Sequence, residues 1–266
     1  MRSFCWGALL VIVSAKLQFS HSAYGVPGVG KLFPEGHDRY MIKRHILVLA
    51  DGTGGWEEKG INPGEFARSL VKKIRHHFRR DPKNHLKNLP QLVNFAAQRV
   101  NVPGTATCIV AVLDRDHSRV SIVNIGDTSY IHFRKGQNGL YYMVSRGQPK
   151  EIQPNMPLQI GRDLLTATSG DFFTFDVKVG DRLLLATDGV FDNLYDEDIL
   201  ALFNASIGMH SNTFVRSLVE LATAVSFSPR YFSPFAWRAR KYNASTIQLT
   251  GKPDDITAIV AGIDDF

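Results

Sequence analysis

Phe66, Leu70, Val71, Ile74 and Phe78 recur at helical spacing, which predicts a helix with one buried stripe. Its start is marked by Asn62-Pro63-Gly64-Glu65, with Asn62 as cap, Pro63 at the first helical position and Glu65 reaching back as in a capping box. Leu92, Val93, Ala96 and Val100 repeat in the same way and predict a second helix over 89–100. From Thr107 the period shortens to that of strands, in runs at 108–113, 120–125, 129–133, 141–144, 172–177 and 182–187. Residues 114–118 and 136–139 read as hairpin connections, so neighbouring strands should be antiparallel. Helices return at 196–203 and 212–227 before a closing strand at 256–261. Helices, a block of strands, then helices and one late strand is an α+β layered pattern.

Three of the apolar runs end in, or follow, an aspartate: Ile46 to Ala50 before Asp51, Leu183 to Thr187 before Asp188, and Ile256 to Val260 after Asp254-Asp255. An apolar strand holds a carboxylate rigidly at a sheet end, and a following glycine lets the backbone turn so that its carbonyl can also face a cation. Gly52 and Gly189 supply that turn. The trio Asp51, Asp188 and Asp254 therefore reads as a divalent-metal centre.

A chain of 266 residues with 44% hydrophobic content can bury one large core. The formal charge of +6 is dispersed apart from Lys72, Lys73, Arg75, Arg79 and Arg80, which fall mostly opposite the buried stripe of the first helix. A run of this kind reads first as a solvated face, and more sharply as a surface for anionic phosphoprotein; without interleaved aromatics it does not predict nucleic-acid binding. Two cysteines, Cys5 and Cys108, exclude a disulfide framework and a Cys-rich zinc site. Residues 4–13 form a short apolar run after Arg2, too short for a membrane span, so 1–23 is expected to be a cleavable leader and 24–266 the folded domain. The leader has signal-peptide architecture, with a mitochondrial presequence as the competing reading, and the sequons Asn204-Ala205-Ser206 and Asn243-Ala244-Ser245 matter only on the secretory route. Gly25 to Lys31 fits the spacing of a phosphate-binding loop, but Leu32 stands where Ser or Thr would reach magnesium.

Four ordered segments carry the functional signal: Asp51-Gly52-Thr53-Gly54-Gly55-Trp56, Asn124-Ile125-Gly126-Asp127-Thr128, Thr187-Asp188-Gly189-Val190-Phe191-Asp192-Asn193 and Lys252-Pro253-Asp254-Asp255-Ile256-Thr257. In these segments the chain resembles the protein phosphatase 2C family of metal-dependent Ser/Thr phosphatases, and most of all its mitochondrial branch. The resemblance extends over 24–266 and takes in Ser233-Pro234-Phe235-Ala236. It implies a four-layer α-β-β-α sandwich of two antiparallel sheets with the metals at one end between them. It further implies hydrolysis of phosphoserine and phosphothreonine by direct attack of a hydroxide bridging two Mn²⁺ or Mg²⁺ ions. By that resemblance Asp51 bridges the ions, the Gly52 carbonyl joins one, Asp188 and Asp254 hold the other, and Asp127 shares a third position with Asp188. Asp255, in the place usually held by Asn, and Thr53, in the place of a His proposed as general acid, are expected to support the site.

Two departures bear on activity. Gly36-His37-Asp38 puts His37 where the family has a metal-binding acid, with Asp38 as a substitute ligand and a preference for Mn²⁺ as the expected consequence. The usual phosphate-gripping Arg is missing, with Phe33 near its place and Lys31, Arg39 and Arg44 as candidates. A catalytically weak pseudophosphatase, acting as a binding module of the same fold, is the alternative function. The expected partners are phosphoprotein substrates, the expected state is a monomer, and the location is mitochondrial by resemblance or secretory by the leader.

Overall fold

Residues 17–153, 155–164, 166–242 and 250–265 are described in the computed structural model of the chain. The chain begins with three strands, β1 (Leu17–Val26), β2 (Asp38–Lys43) and β3 (Ile46–Gly52), and a 3₁₀ turn (Gly54–Lys59). Helices α1 (Pro63–Arg80), α2 (Pro82–Lys87) and α3 (Leu89–Ala97) follow. Next come β4 (Thr105–Asp114), β5 (Arg119–Ile125), β6 (Ser129–Lys135) and β7 (Tyr141–Arg146). Three short strands, β8 (Glu151–Gln153), β9 (Met156–Pro157) and β10 (Ile160–Gly161), precede β11 (Asp171–Asp176) and β12 (Arg182–Ala186). The C-terminal part holds α4 (Asp188–Phe191), α5 (Asp196–Ala205), α6 (Ser211–Ser226), α7 (Pro234–Tyr242) and β13 (Ile256–Asp265).

One sheet has the order β1-β13-β12-β6-β7 and the other β11-β5-β4-β3-β2, with β10 also on β4, all pairs antiparallel. Three apolar cores separate four layers. Leu47, Leu49, Ile109, Ile122, Leu183, Leu185 and Ile259 pack between the sheets. Val48, Val110 and Val123 face α1 and α3 through Phe66, Leu70, Ile74 and Leu92. Leu184, Ala258 and Val260 face Phe203, Val215 and Leu218 of α5 and α6. The α-β-β-α sandwich of two antiparallel sheets is thus the architecture.

The predicted stripe of α1 is buried in full, and Asn62 caps it by accepting from the Gly64 amide at 2.9 Å. Glu65 does not reach back; its carboxylate sits 3.6 Å from Arg68 Nη2. The expected domain start at residue 24 falls inside β1, whose ten pairs with β13 run from Leu17↔Asp265 to Val26↔Ile256. Residues 1–16 of the expected leader lie outside the described residues. The sequon at Asn243 also lies outside them, whereas the Asn204 amide is paired both ways with the Tyr141 backbone, at 2.6 and 3.0 Å. Among the described residues no helix is long and apolar enough to cross a membrane.

Candidate metal centre

One end of the sandwich collects carboxylates from both sheets. Asp38 and Asp51 are direct partners in the antiparallel register of β2 and β3, so both side chains leave the same face of that sheet. From the other sheet come Asp188, just past β12, and Asp254 and Asp255, just before β13. Oxygens of Asp38, Asp51 and Asp255 lie within 4.8 Å of one another, close enough to share a cation. Thr187 ties the sheets there: its hydroxyl donates to Asp38 Oδ2 at 3.0 Å and accepts from the Thr257 amide at 3.0 Å.

Two glycines allow the close approach. A Cβ on Gly52 would lie 2.5 Å from the carbonyl carbon and oxygen of Pro63, so α1 could not start against the end of β3. A Cβ on Gly189 would collide with the Asp255 carbonyl oxygen, so α4 could not pack on the start of β13. Asn193 then fastens the two segments, accepting from the Lys252 amide at 2.8 Å and donating to the Lys252 and Gly189 carbonyls at 2.8 and 2.9 Å.

The electrostatics are those of crowded anions partly neutralised by two ammonium groups. Lys252 Nζ is 2.5 Å from Asp188 Oδ2, 2.9 Å from Asp192 Oδ2 and 3.5 Å from Asp254 Oδ2. Lys31 Nζ reaches Asp254 Oδ1 at 2.8 Å and Asp255 Oδ2 at 3.4 Å. Burial lifts Asp38 to about 8, with repulsion from Asp255 adding to it. Asp188 is lifted to about 7 by burial, against the pull of Lys252. Burial and repulsion from Asp38, Asp188 and Asp254 also raise Asp51 well above the carboxylate range, and burial with Asp188 raises Asp127. Asp254 is the exception: burial raises it, but Lys252 and Lys31 outweigh that and hold it low.

The donor set fits a hard divalent cation. Asp38 Oδ1, Asp188 Oδ1 and Asp127 Oδ1 are buried oxygens without any hydrogen-bond partner, which is costly unless a cation takes them up. All are carboxylate oxygens, the donors that Mg²⁺ and Mn²⁺ prefer. The Thr53 hydroxyl, two residues after Asp51, is likewise buried without a partner.

The expected trio is not the one that converges most tightly. Asp38 and Asp255 join Asp51 within 4.8 Å, while Asp188 and Asp254 stand outside that group, each on a lysine. His37 does not join. Its ring is turned to Glu57, with Nε2 2.9 Å from Oε1, and its amide donates to Asp255 Oδ2 at 2.7 Å. Gly28 donates to the other Asp255 oxygen at 2.6 Å, so Asp255 is held by two backbone amides. Of the three basic candidates only Lys31 faces the centre. Arg39 donates to the carbonyls of Gly36 and Asp38, and Arg44 lies in the β2–β3 turn at the opposite strand ends. Lys252, Asp192 and Asn193 were visible only as parts of the four segments, since a lysine next to Pro-Asp-Asp carries no sign of which carboxylate it meets.

The sequence profile of the Stage II sporulation protein E (SpoIIE) family matches residues 43–227. A Xenopus laevis protein called protein phosphatase PTC7 homolog is 31% identical over 252 residues, covering 87% of this chain and 82% of that protein. The probable protein phosphatase 2C 80 of Arabidopsis thaliana is 30% identical over 231 residues, covering 85% of this chain and 54% of that protein. Among solved structures, the photosystem II phosphatase PBCP superposes with a TM-score of 0.83 at 25% identity, over 93% of this chain and 100% of that one. The catalytic domain of the phosphatase PstP in complex with two manganese ions shares the fold at a TM-score of 0.63 and 18% identity, over 94% and 100% of the two chains.

Proposed function

The chain belongs to the protein phosphatase 2C family, with PTC7 homologues among its relatives, and we propose that it hydrolyses phosphoserine and phosphothreonine in proteins at this carboxylate centre. The observation that carries the reading is the convergence of carboxylates from both sheets with buried oxygens left unpartnered. Asp51, Asp38 and the Gly52 carbonyl would hold one divalent ion, Asp51, Asp188 and Asp254 a second, and Asp127 with Asp188 a third. When bound, Mn²⁺ or Mg²⁺ supplies Lewis acidity that lowers the pKa of a water nucleophile and screens the phosphate dianion. The chain's own part is to fix the oxygens rigidly at strand ends and to keep them close despite their repulsion. Asp255, both of whose oxygens accept backbone amides, positions its neighbours.

Lys31 is the group we assign to the phosphate. It is 19% exposed in its side chain and its ammonium faces Asp254 and Asp255, so a substrate phosphate at the centre comes within its reach. The pseudophosphatase reading depended on His37 leaving the second site incomplete; Asp38, paired with Asp51 across β2 and β3, supplies the carboxylate instead. Likeness to the mitochondrial branch supports a mitochondrial location, and the pairing of Asn204 argues against a glycan there. The test is phosphate release from p-nitrophenyl phosphate and from a phosphoserine peptide. Turnover should require Mn²⁺ or Mg²⁺ and vanish in Asp51→Asn; metal-independent turnover, or an active Asp51→Asn, would remove the reading.

A further inference from the structure

A cavity of about 350 Å³ opens beside the metal centre and shares Asp127 and Asp192 with it. It lies between the N-terminal turn of α5, helix α7 and the segment after β7, and its size falls in the range of side-chain and ligand pockets. Phe191, Leu194, Pro149, Pro234 and the half-exposed Trp237 give it apolar and aromatic walls.

Its charges do not balance. The lining contains two arginines and four acids, and both arginines are already engaged. Arg146 binds Asp196 at 3.0 Å, lies with its guanidinium 3.9 Å from the Phe191 ring centroid and donates to Ser129 Oγ. Arg238 donates to Asp192. Glu197 remains exposed at the mouth, with no ion pair or side-chain hydrogen bond among the described residues. Asp127, buried to 6% exposure, also borders the cavity, but its unpartnered oxygen belongs to the proposed metal centre. A pocket with apolar and aromatic walls and an unpaired acid at its mouth is complementary to a side chain with a long aliphatic stem and a cationic head. An anionic or small polar side chain gains nothing there and would meet Glu197 on entry.

We infer that this cavity is a specificity subsite that takes an arginine or lysine side chain of the phosphoprotein, a few residues along the chain from the phosphorylated one. The inference rests on the phosphatase reading, because only a phosphoester held at the metal centre brings the flanking residues to the cavity. An aromatic wall and one surface carboxylate together give about a tenfold preference, expressed in KM rather than kcat.

The experiment is an arginine scan of one phosphoserine peptide from four residues before to four after the phosphoserine, with alanine and glutamate at each position. The same Mn²⁺-loaded preparation is assayed on p-nitrophenyl phosphate, which carries no flanking residues. One position should favour arginine about tenfold over alanine in kcat/KM, with glutamate below alanine. Glu197→Gln should flatten that preference and Glu197→Arg should reverse it. A scan that is flat at every position, or a preference that Glu197→Arg leaves as in the wild type, overturns the inference while turnover of p-nitrophenyl phosphate keeps the phosphatase reading intact. If the wild-type chain fails on p-nitrophenyl phosphate itself, the phosphatase reading falls and this inference with it.

Discussion

At the scale of single residues, His37 and Asp38 are neighbours with opposite fates. Asp38 opens β2 opposite Asp51, whereas His37, just before the strand, turns Nε2 to Glu57 and keeps Nδ1 3.7 Å from Asp255 Oδ2. Asp38→Asn should weaken Mn²⁺ binding about ten- to a hundredfold by calorimetric titration, the range seen when a supporting ligand is lost. His37→Gln should change it far less; equal effects would show that the imidazole contacts the ion. Lys31→Ala should leave Mn²⁺ binding in place but lower kcat/KM on p-nitrophenyl phosphate roughly ten- to a hundredfold, the worth of one charge-assisted hydrogen bond. Unchanged kcat/KM would free Lys31 of the phosphate role. The carboxylates themselves were legible in the sequence because each ends an apolar run. Which of His37 and Asp38 faces Asp51 was not, because the register of a six-residue edge strand with one buried side chain, Met41, is not set by its own pattern.

At the scale of elements, the far end of the inter-sheet layer is held by a buried polar group of its own. Asp181, in the turn before β12, accepts from Arg134 Nη2 at 2.7 Å and from the Lys178 amide at 2.9 Å, and lies 2.8 Å from His132 Nε2. Burial raises its pKa, but the Arg134, His132 and Lys178 hydrogen bonds prevail and bring it down to about 2. A carboxyl with a depressed folded pKa stabilises above its unfolded value and loses that contribution as pH falls through the folded one. The stability advantage of wild type over Asp181→Asn in urea titrations should therefore be constant above about pH 4 and shrink between about pH 4 and 2; a gap independent of pH over that window would refute the assignment. The same layer shows what period alone can reveal. The stripe of α1 and the strands β4, β5, β12 and β13 were evident because α1 buries one regular stripe and each of those strands is an apolar run buried on both faces. β1 was not, since His21, Ser20 and Ser22 break its alternation and its pairing to β13 spans the whole chain. Helix α7 also escaped, with only Ala236 and Ala239 buried.

At the scale of the whole molecule, the centre is the place where the two sheets are either joined or pushed apart. Asp38 and Asp51 belong to one sheet, Asp188, Asp254 and Asp255 to the flanks of the other; the Thr187 hydroxyl crosses between them, while Lys31 and Lys252 neutralise acids of the second group. Without a cation the acids oppose closure once ionised. Asp38 near 8 and Asp188 near 7 are both raised, so the folded state retains protons that the unfolded state gives up near 4, and stability falls as pH rises through 7 and 8. A divalent ion reverses the sign by replacing those protons with charge shared between the sheets, and it must compete with them, so it binds better at pH 8 than at pH 6. At a free concentration a hundred times its dissociation constant, one ion adds about 2.7 kcal/mol, roughly 5–10 °C in Tm for a chain of this size. Thermal unfolding of the intact chain should therefore show the EDTA-treated protein losing stability from pH 6 to pH 8, with Mn²⁺ raising Tm more at pH 8 than at pH 6. Asp51→Asn should remove most of the Mn²⁺ response, because it takes away the carboxylate common to the first two of the three proposed positions. An equal Mn²⁺ shift at both pH values, or one that survives in Asp51→Asn, would mean that the ions bind elsewhere and that the two sheets are not joined through them.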